Sequence, residues 1–168
     1  LAVSPTTSIK SVPELIAEAK KHPGKLLNAS SSNGSPGHVG GELFKFMTGT
    51  DIVHVPYRGG ANAINDLIAG RVQLMFESLN SIAAHARAGT VRALAVSGAR
   101  RSPGFPDLPT VAEAGVPGYE AGTWTGTVSA GPLVAVGTTM TVDCSVQLGG
   151  TGVHSDPDAA IVSAGPSA

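Results

Sequence analysis

The spacing of apolar residues predicts two helices within the first 50 positions. Apolar side chains recur at three- and four-residue steps over residues 12–19 and again over 39–47, the period of a helix with one buried face. Ser11 has the place of an N-cap for the first helix, and Glu14 completes a capping box. Pro36 suits the first turn of the second helix, where its missing N–H would have no partner in any case.

Short runs with strand character continue the pattern and alternate with further helical segments. Strands are predicted over 25–29, 51–57, 72–76 and 91–96, with helices over 63–68 and 79–88 and a short one capped by Thr110. Strands alternating with helices in this way indicate βαβ units. We therefore predict an α/β fold with a largely parallel sheet flanked by helices.

Four loops follow the predicted strands at their carboxyl ends. They are Ser30–Ser35, Tyr57–Ala61, Glu77–Asn80 and Ser97–Arg101. Ligands of open α/β sheets bind at this edge of the sheet, so we expect the four loops to line one crevice.

The first of these loops, SSSNGS, carries short hydroxyl and amide side chains and leads directly into a helix. Hydroxyls, free backbone N–H groups and the positive end of a helix dipole would meet there, and together they attract a carboxylate or a phosphate. The alternative is an ordinary serine-rich helix cap without a ligand.

Composition and motifs exclude several function classes. The 168 residues are 42% apolar and 14% charged with a net charge of −1, and no basic stripe is present, so nucleic acid is not an expected partner. Neither G-x-S-x-G nor H-E-x-x-H occurs, and five scattered histidines with the single Cys144 suggest no metal site and no nucleophile. We therefore predict neither an enzyme nor a cofactor. No signal peptide is visible.

The composition changes near residue 125. Residues 1–124 hold eleven bases and nine acids (+2), whereas 125–168 hold three acids and no Lys or Arg (−3). We predict an α/β lobe over 1–124 and a poorly specified Gly/Ser/Thr/Val-rich tail over 125–168.

Five stretches together resemble one family of periplasmic solute-binding proteins. They are SSSNGSPGH, GELFK, DIVHVPYRGG, DLIAGRVQLMF and RALAVSGARRSPGFPDLPTVAEAGVPGYE. Their order strongly resembles the substrate-binding proteins of tripartite tricarboxylate transporters, the TctC or Bug family. The resemblance covers roughly residues 1–124 and implies the second of two lobes of a type II periplasmic binding protein, followed by a tail that departs from the family pattern.

The resemblance also implies a binding site. The serine loop, with Ser30, Ser31, Gly34 and Ser35, would hold one end of a carboxylate, and Tyr57, Gly59, Gly60 and Ala61 would line the crevice. His38 is a candidate to bond either the ligand or the loop, and Glu77 and Ser78 to contact the ligand or cap the next helix. His54 is expected to be a satisfied or edge histidine.

The resemblance implies a periplasmic domain that binds a small di- or tricarboxylate or amino acid and delivers it to membrane transporter subunits without catalysis. The alternative is a truncated or frameshifted copy with half of the clamp, which binds weakly or not at all. Such a copy would self-associate through the face left uncovered by the missing domain.

Overall fold

Helices and short strands alternate along the part of the chain that the computed structural model describes, residues 1–122 and 147–148. In order, the elements are β1 (Ala2–Val3), α1 (Val12–Lys21), β2 (Leu27–Ser30), α2 (Pro36–Thr48), β3 (Val53–Pro56), α3 (Gly60–Ile68), β4 (Leu74–Met75), α4 (Leu79–Arg87), β5 (Arg92–Ala93), β6 (Ala121–Gly122) and β7 (Gln147–Leu148).

The main sheet has the strand order β3-β2-β4-β1-β5. Strand β2 lies parallel to both β3 and β4, as the βαβ pattern predicts. The α/β fold and the largely parallel sheet are confirmed, with one strand as the exception. Strand β1 lies between β4 and β5 and runs antiparallel to both, so the sheet is mixed. The sequence of β1 does not indicate its direction, because side chains alternate in the same way in a parallel and in an antiparallel strand.

Two hydrophobic clusters make up the core. The larger contains Leu15 of α1 and Phe44 of α2, together with Phe76 and Tyr119. The smaller contains Leu67 of α3, Met75 of β4 and Ile82 of α4. Both clusters include residues of the main sheet. Helices α1 and α2 pack in the larger cluster, and α3 and α4 pack in the smaller one.

Local capping decides where helices begin. The predicted N-cap at Ser11 is present, since its side chain accepts a hydrogen bond from Glu14 N and the Glu14 carboxylate accepts one from Lys10 N at 2.8 Å. The short helix predicted after Thr110 is absent: residues 111–115 form turns. The reciprocal Thr110–Glu113 bonds do form. Gly115, at φ +116°, then ends the segment after one turn, which is too short to propagate.

Most of the predicted tail lies outside the described residues. Within it, β7 pairs antiparallel with β6, with Ala121 opposite Leu148. Among the helices of the described part of the chain, none is long and apolar enough to cross a membrane.

Candidate functional site

A cleft of about 390 Å³ opens at the edge of the sheet where β2 and β4 end. Three of the four predicted loops contribute to it: the serine loop through Ser31, the loop after β4 through Glu77 and Ser78, and the loop after β5 through Ser97 and Gly98. The start of α2 and residues 1–2 also line it, as do residues of α4, β5 and β6. The cleft therefore lies where the sequence predicts a crevice, at the carboxyl ends of the strands.

Close packing of α2 on the sheet gives the cleft its floor. A methyl group on Gly37 would overlap the carbonyl oxygen of Phe76, and one on Gly41 would overlap the carboxamide of Asn28. A methyl group on Gly40 would lie 3.3 Å from the hydroxyl of Tyr119. These glycines let the first turns of α2 approach β2 and the residue after β4, which brings the positive end of the helix to the cleft.

The serine loop, residues 30–35, is held mainly by its own hydrogen bonds. The hydroxyls of Ser30 and Ser35 both donate to the carbonyl oxygen of Ser32, at 2.9 and 2.8 Å. Ser35 is the N-cap of α2 and accepts from His38 N at 3.4 Å. Ser30 is fully buried. Ser30 and Ser35 therefore shape the loop, whereas Ser31 is the member that lines the cleft.

Two histidines support this loop from the side. Gly34 N–H donates to Nδ1 of His38 at 3.0 Å, with Gly34 in the left-handed region at φ +75°. The ring of His38 stacks on that of His54, with centroids 3.8 Å apart and planes at 10°. Nε2 of His54 lies 2.7 Å from the Ser30 hydroxyl. The expectation of a satisfied edge histidine at position 54 agrees with this placement. Burial, followed by repulsion from His38, lowers the pKa of His54 below its ordinary value.

The loop after β3 stands beside the cleft without lining it. Gly59 N–H donates to the carbonyl oxygen of Ser31 at 3.0 Å, which ties this loop to the serine loop. The hydroxyl of Tyr57 is turned away and donates to Asp66 at 2.7 Å. Burial and this hydrogen bond raise the pKa of Tyr57 to about 12. Gly60 is the first residue of α3, and Ala61 follows it exposed. In this structure these four residues are not brought into contact with the cleft.

Glu77 connects the cleft to the start of α3. A methyl group on Gly60 would lie 3.1 Å from Glu77 Oε2, so the carboxylate stands at the amino end of that helix. The other oxygen, Oε1, accepts from Ser78 N at 2.9 Å. Ser78 is the N-cap residue of α4, although its hydroxyl bonds Ser81 and makes no cap hydrogen bond.

The lining is nearly free of charge. Among the described residues, Glu77 is the one charged side chain in the wall, which carries no Lys or Arg. All eleven Lys and Arg residues of the chain lie at or before Arg101. A negatively charged molecule in this cleft would therefore be met by hydroxyls and backbone N–H groups and not by a cation. Within the part of the chain that the structure describes, no three His, Cys, Asp or Glu residues are grouped to hold a metal ion.

Sequence reasoning missed several lining residues. These are Gly37, Gly40 and Phe76, together with Leu1 and Ala2 of the β1 region, whereas Leu79, Asn80, Ser97 and Gly98 lie in loops that were predicted to line the crevice. The glycine spacing in PGHVGG was an available signal, because glycines inside a helix mark close approach to another element. No signal could place β1 at the cleft, since its position follows from the antiparallel pairing.

The fold and the cleft define the class as a lobe of a periplasmic binding protein. The chain is similar to the solved structure described as R. palustris Rpa4515 with adipate, with 45% identity and a TM-score of 0.70 over 71% of this chain and 40% of that one. It is also similar to the periplasmic binding protein BugD, with 31% identity and a TM-score of 0.67 over 71% of this chain and 40% of BugD.

The sequence profile of the "Tripartite tricarboxylate transporter family receptor", TctC, matches residues 1–135. The chain belongs to this family, and the resemblance found in the sequence is confirmed. A relative from a Pseudomonas species, "UPF0065 protein in tcbD-tcbE intergenic region", is 39% identical over 127 residues, which are 75% of this chain and 38% of the relative. The matched segment thus spans 38% of the length of this relative.

Proposed function

We propose that this chain binds a small organic carboxylate in the cleft, as part of a periplasmic solute-binding protein that delivers its ligand to the membrane subunits of a tripartite tricarboxylate transporter. The observation that carries the proposal is the cleft itself, which lies at the carboxyl ends of β2 and β4 and is open to the first turn of α2. Membership of the TctC family and a similar protein described with adipate support it.

The first turn of α2 supplies the attraction for the anion. Pro36 has no N–H, so Gly37 is the first residue of the helix that can donate, and it lines the cleft. The 13-residue helix adds the positive end of its dipole. We assign the neighbouring hydroxyl of Ser31 as a direct donor to the ligand. Ser30, Gly34 and Ser35 then contribute by fixing the loop, since their polar groups are bonded within the protein.

The remaining predicted residues take different places in this proposal. Glu77 and Ser78 lie in the wall and contact the ligand directly. The contacts of Tyr57, Gly59, Gly60 and Ala61 with a ligand require that it extend beyond the cleft, because these residues stand outside its wall. His38 acts on the loop.

Binding and delivery require no bond chemistry. Hydrogen bonds from hydroxyl and backbone N–H groups to a carboxylate are charge-assisted, so such donors can hold the ligand without a cation. The two-lobed arrangement implied by the family would bury the opposite side of the ligand.

A matched pair of serine variants tests the proposal. Calorimetry with adipate, malate and aspartate should give saturable heat for at least one of them with the unaltered chain. Ser31→Ala should weaken that binding about tenfold, the effect of one lost hydrogen bond to a charged group. Ser8→Ala is the control, because Ser8 is exposed and stands apart from the cleft. No heat with any of the three acids at millimolar concentration would contradict the proposal.

A second candidate is a chain that associates with itself and binds its ligand weakly or not at all. The observation that favours it is the exposure of the apolar residue Phe46, which is 85% accessible. Light scattering separates the two. A monomer that binds ligand supports the first proposal, whereas concentration-dependent association without binding supports the second.

A further inference from the structure

The serine loop depends on a histidine that must be unprotonated at one nitrogen. A backbone N–H can only donate, so the 3.0 Å bond from Gly34 N to Nδ1 of His38 requires a lone pair on Nδ1. The proton of neutral His38 is then on Nε2. A second proton would go to Nδ1 and would remove the acceptor from Gly34.

The stacked partner makes the pair sensitive to its total charge. The rings of His38 and His54 lie 3.8 Å apart and nearly parallel. Two imidazolium rings at this separation repel, so the pair accepts a first proton more readily than a second. The Ser30 hydroxyl donates to Ser32, so the 2.7 Å contact with His54 uses the Nε2 proton of that ring.

The other charged groups that face the pair lie on α2. Glu42 Oε1 is 4.0 Å from Nε2 of His38, and the charge of Glu42 acts to raise the pKa of His54. Lys45 Nζ is bonded to both oxygens of Glu42, at 2.8 and 2.9 Å, which offsets much of that effect. In the part of the chain that the structure describes, these residues and the two rings are the charges that act on His54.

We propose that the His38–His54 stack is an acid-sensitive latch on the serine loop. At neutral pH the latch holds Gly34 and fixes residues 30–35 beside the cleft. When His38 takes up a proton, Gly34 N–H loses its acceptor and the part of the loop around Gly34 is released. Because Ser31 lies in that loop, the latch would also couple the affinity for a carboxylate to pH, and this last clause rests on the proposed function.

The test uses the complete 168-residue chain without ligand. Nuclear magnetic resonance follows the Gly34 amide and the two ring resonances while the pH is lowered through about 6.5, the ordinary pKa of histidine. We expect the Gly34 signal to move together with the ring resonances of His38. Its protection against exchange, relative to an unstructured amide at the same pH, should fall at least about tenfold, as for an amide released from a hydrogen bond.

Two variants identify the group responsible. In His38→Asn the side-chain oxygen stands near the former position of Nδ1 and accepts from Gly34 without titrating, so the pH response should disappear. His22→Asn is the matched control and should respond like the unaltered chain, because His22 lies at the end of α1 beside Glu18. In His54→Gln the stacked ring is gone but Nδ1 of His38 is still present, so the response of Gly34 should persist.

A Gly34 signal that stays constant while His38 titrates would overturn the latch, as would a pH response that persists in His38→Asn. If His38→Asn does not fold, the unaltered chain and His54→Gln still decide the question. Failure to bind adipate, malate and aspartate at neutral pH would contradict the proposed function but would leave the response of Gly34 unchanged, so the two ideas fail separately.

Discussion

The hydroxyl of Tyr119 donates a 2.9 Å hydrogen bond to the carbonyl oxygen of Gly40, 79 residues earlier in the chain, and both groups are buried. This contact ties the segment before β6 to the helix that forms the floor of the cleft. Tyr119 also packs against Phe44 and Phe76, with ring centroids 6.1 and 6.2 Å away.

We expect Tyr119→Phe to destabilise the fold by about 1 kcal/mol, because it removes one buried hydrogen bond and keeps the packing. Burial raises the pKa of the Tyr119 phenol. A group whose pKa is raised on folding stabilises the protein below its unfolded pKa, about 10, and this contribution is lost as the pH rises further. Urea denaturation at neutral and alkaline pH should show a smaller alkaline loss in Tyr119→Phe. An equal loss in both proteins would contradict the assignment.

We expect Gly41→Ala to destabilise the chain by about 2 kcal/mol, since the added methyl group overlaps Asn28 where α2 crosses β2. Asn28→Ala removes the overlapping atoms, so the double variant should recover part of the loss in a double-mutant cycle. Gly98→Ala is the control, because a methyl group there meets no atom within 4 Å. Additive effects of Asn28→Ala and Gly41→Ala would show that the two positions do not clash.

The ion pair between Asp66 and Arg71 should make stability fall in acid. The side-chain hydrogen bond from Arg71, then that from Tyr57, lowers the pKa of Asp66. A carboxylate with a lowered pKa stabilises the fold above its unfolded pKa, about 3.9, and loses that contribution as the pH falls through the folded value. Thermal unfolding from about pH 6 to pH 3 should therefore show a smaller loss in Asp66→Asn. A steeper loss in the variant would contradict this sign.

Ser11→Ala should cost about 1 kcal/mol, the usual effect of removing an N-cap side chain. The Ser11 hydroxyl accepts from Glu14 N at 3.3 Å at the start of α1. Exposed Ser8 lies outside any helix, so Ser8→Ala serves as the reference. Chemical denaturation should shift the midpoint for Ser11→Ala and leave it nearly unchanged for Ser8→Ala.

Helices and caps were predictable because their signals are local. The cap at Ser11, the proline at the start of α2 and the glycine that ends α2 each act within a few residues. The direction of β1 was not predictable, because it depends on pairing with β4 and β5, which lie some 70 and 90 residues away. Local signals likewise predicted a helix after Thr110. The capping box forms there, but residues 111–115 form turns that end at Gly115.

At the candidate site, too, local features were predictable and tertiary contacts were not. The sequence placed polar loops at one edge of the sheet, and three of the four line the cleft. It did not show which hydroxyls are free to bind a ligand, because that depends on tertiary contacts. Ser30 is occupied by Ser32 and His54, and Tyr57 by Asp66, whereas Ser31 lies in the wall. The contacts of the predicted residues with a ligand therefore remain predictions.

Chemical-shift mapping tests the account most directly. The 15N-labelled chain, titrated with adipate at neutral pH, should show saturable shifts confined to the cleft, with the largest at the amides of Ser31, Gly37 and Ser97. Shifts centred on another face of the molecule, or none at millimolar adipate, malate and aspartate, would contradict the claim that this cleft binds small carboxylates.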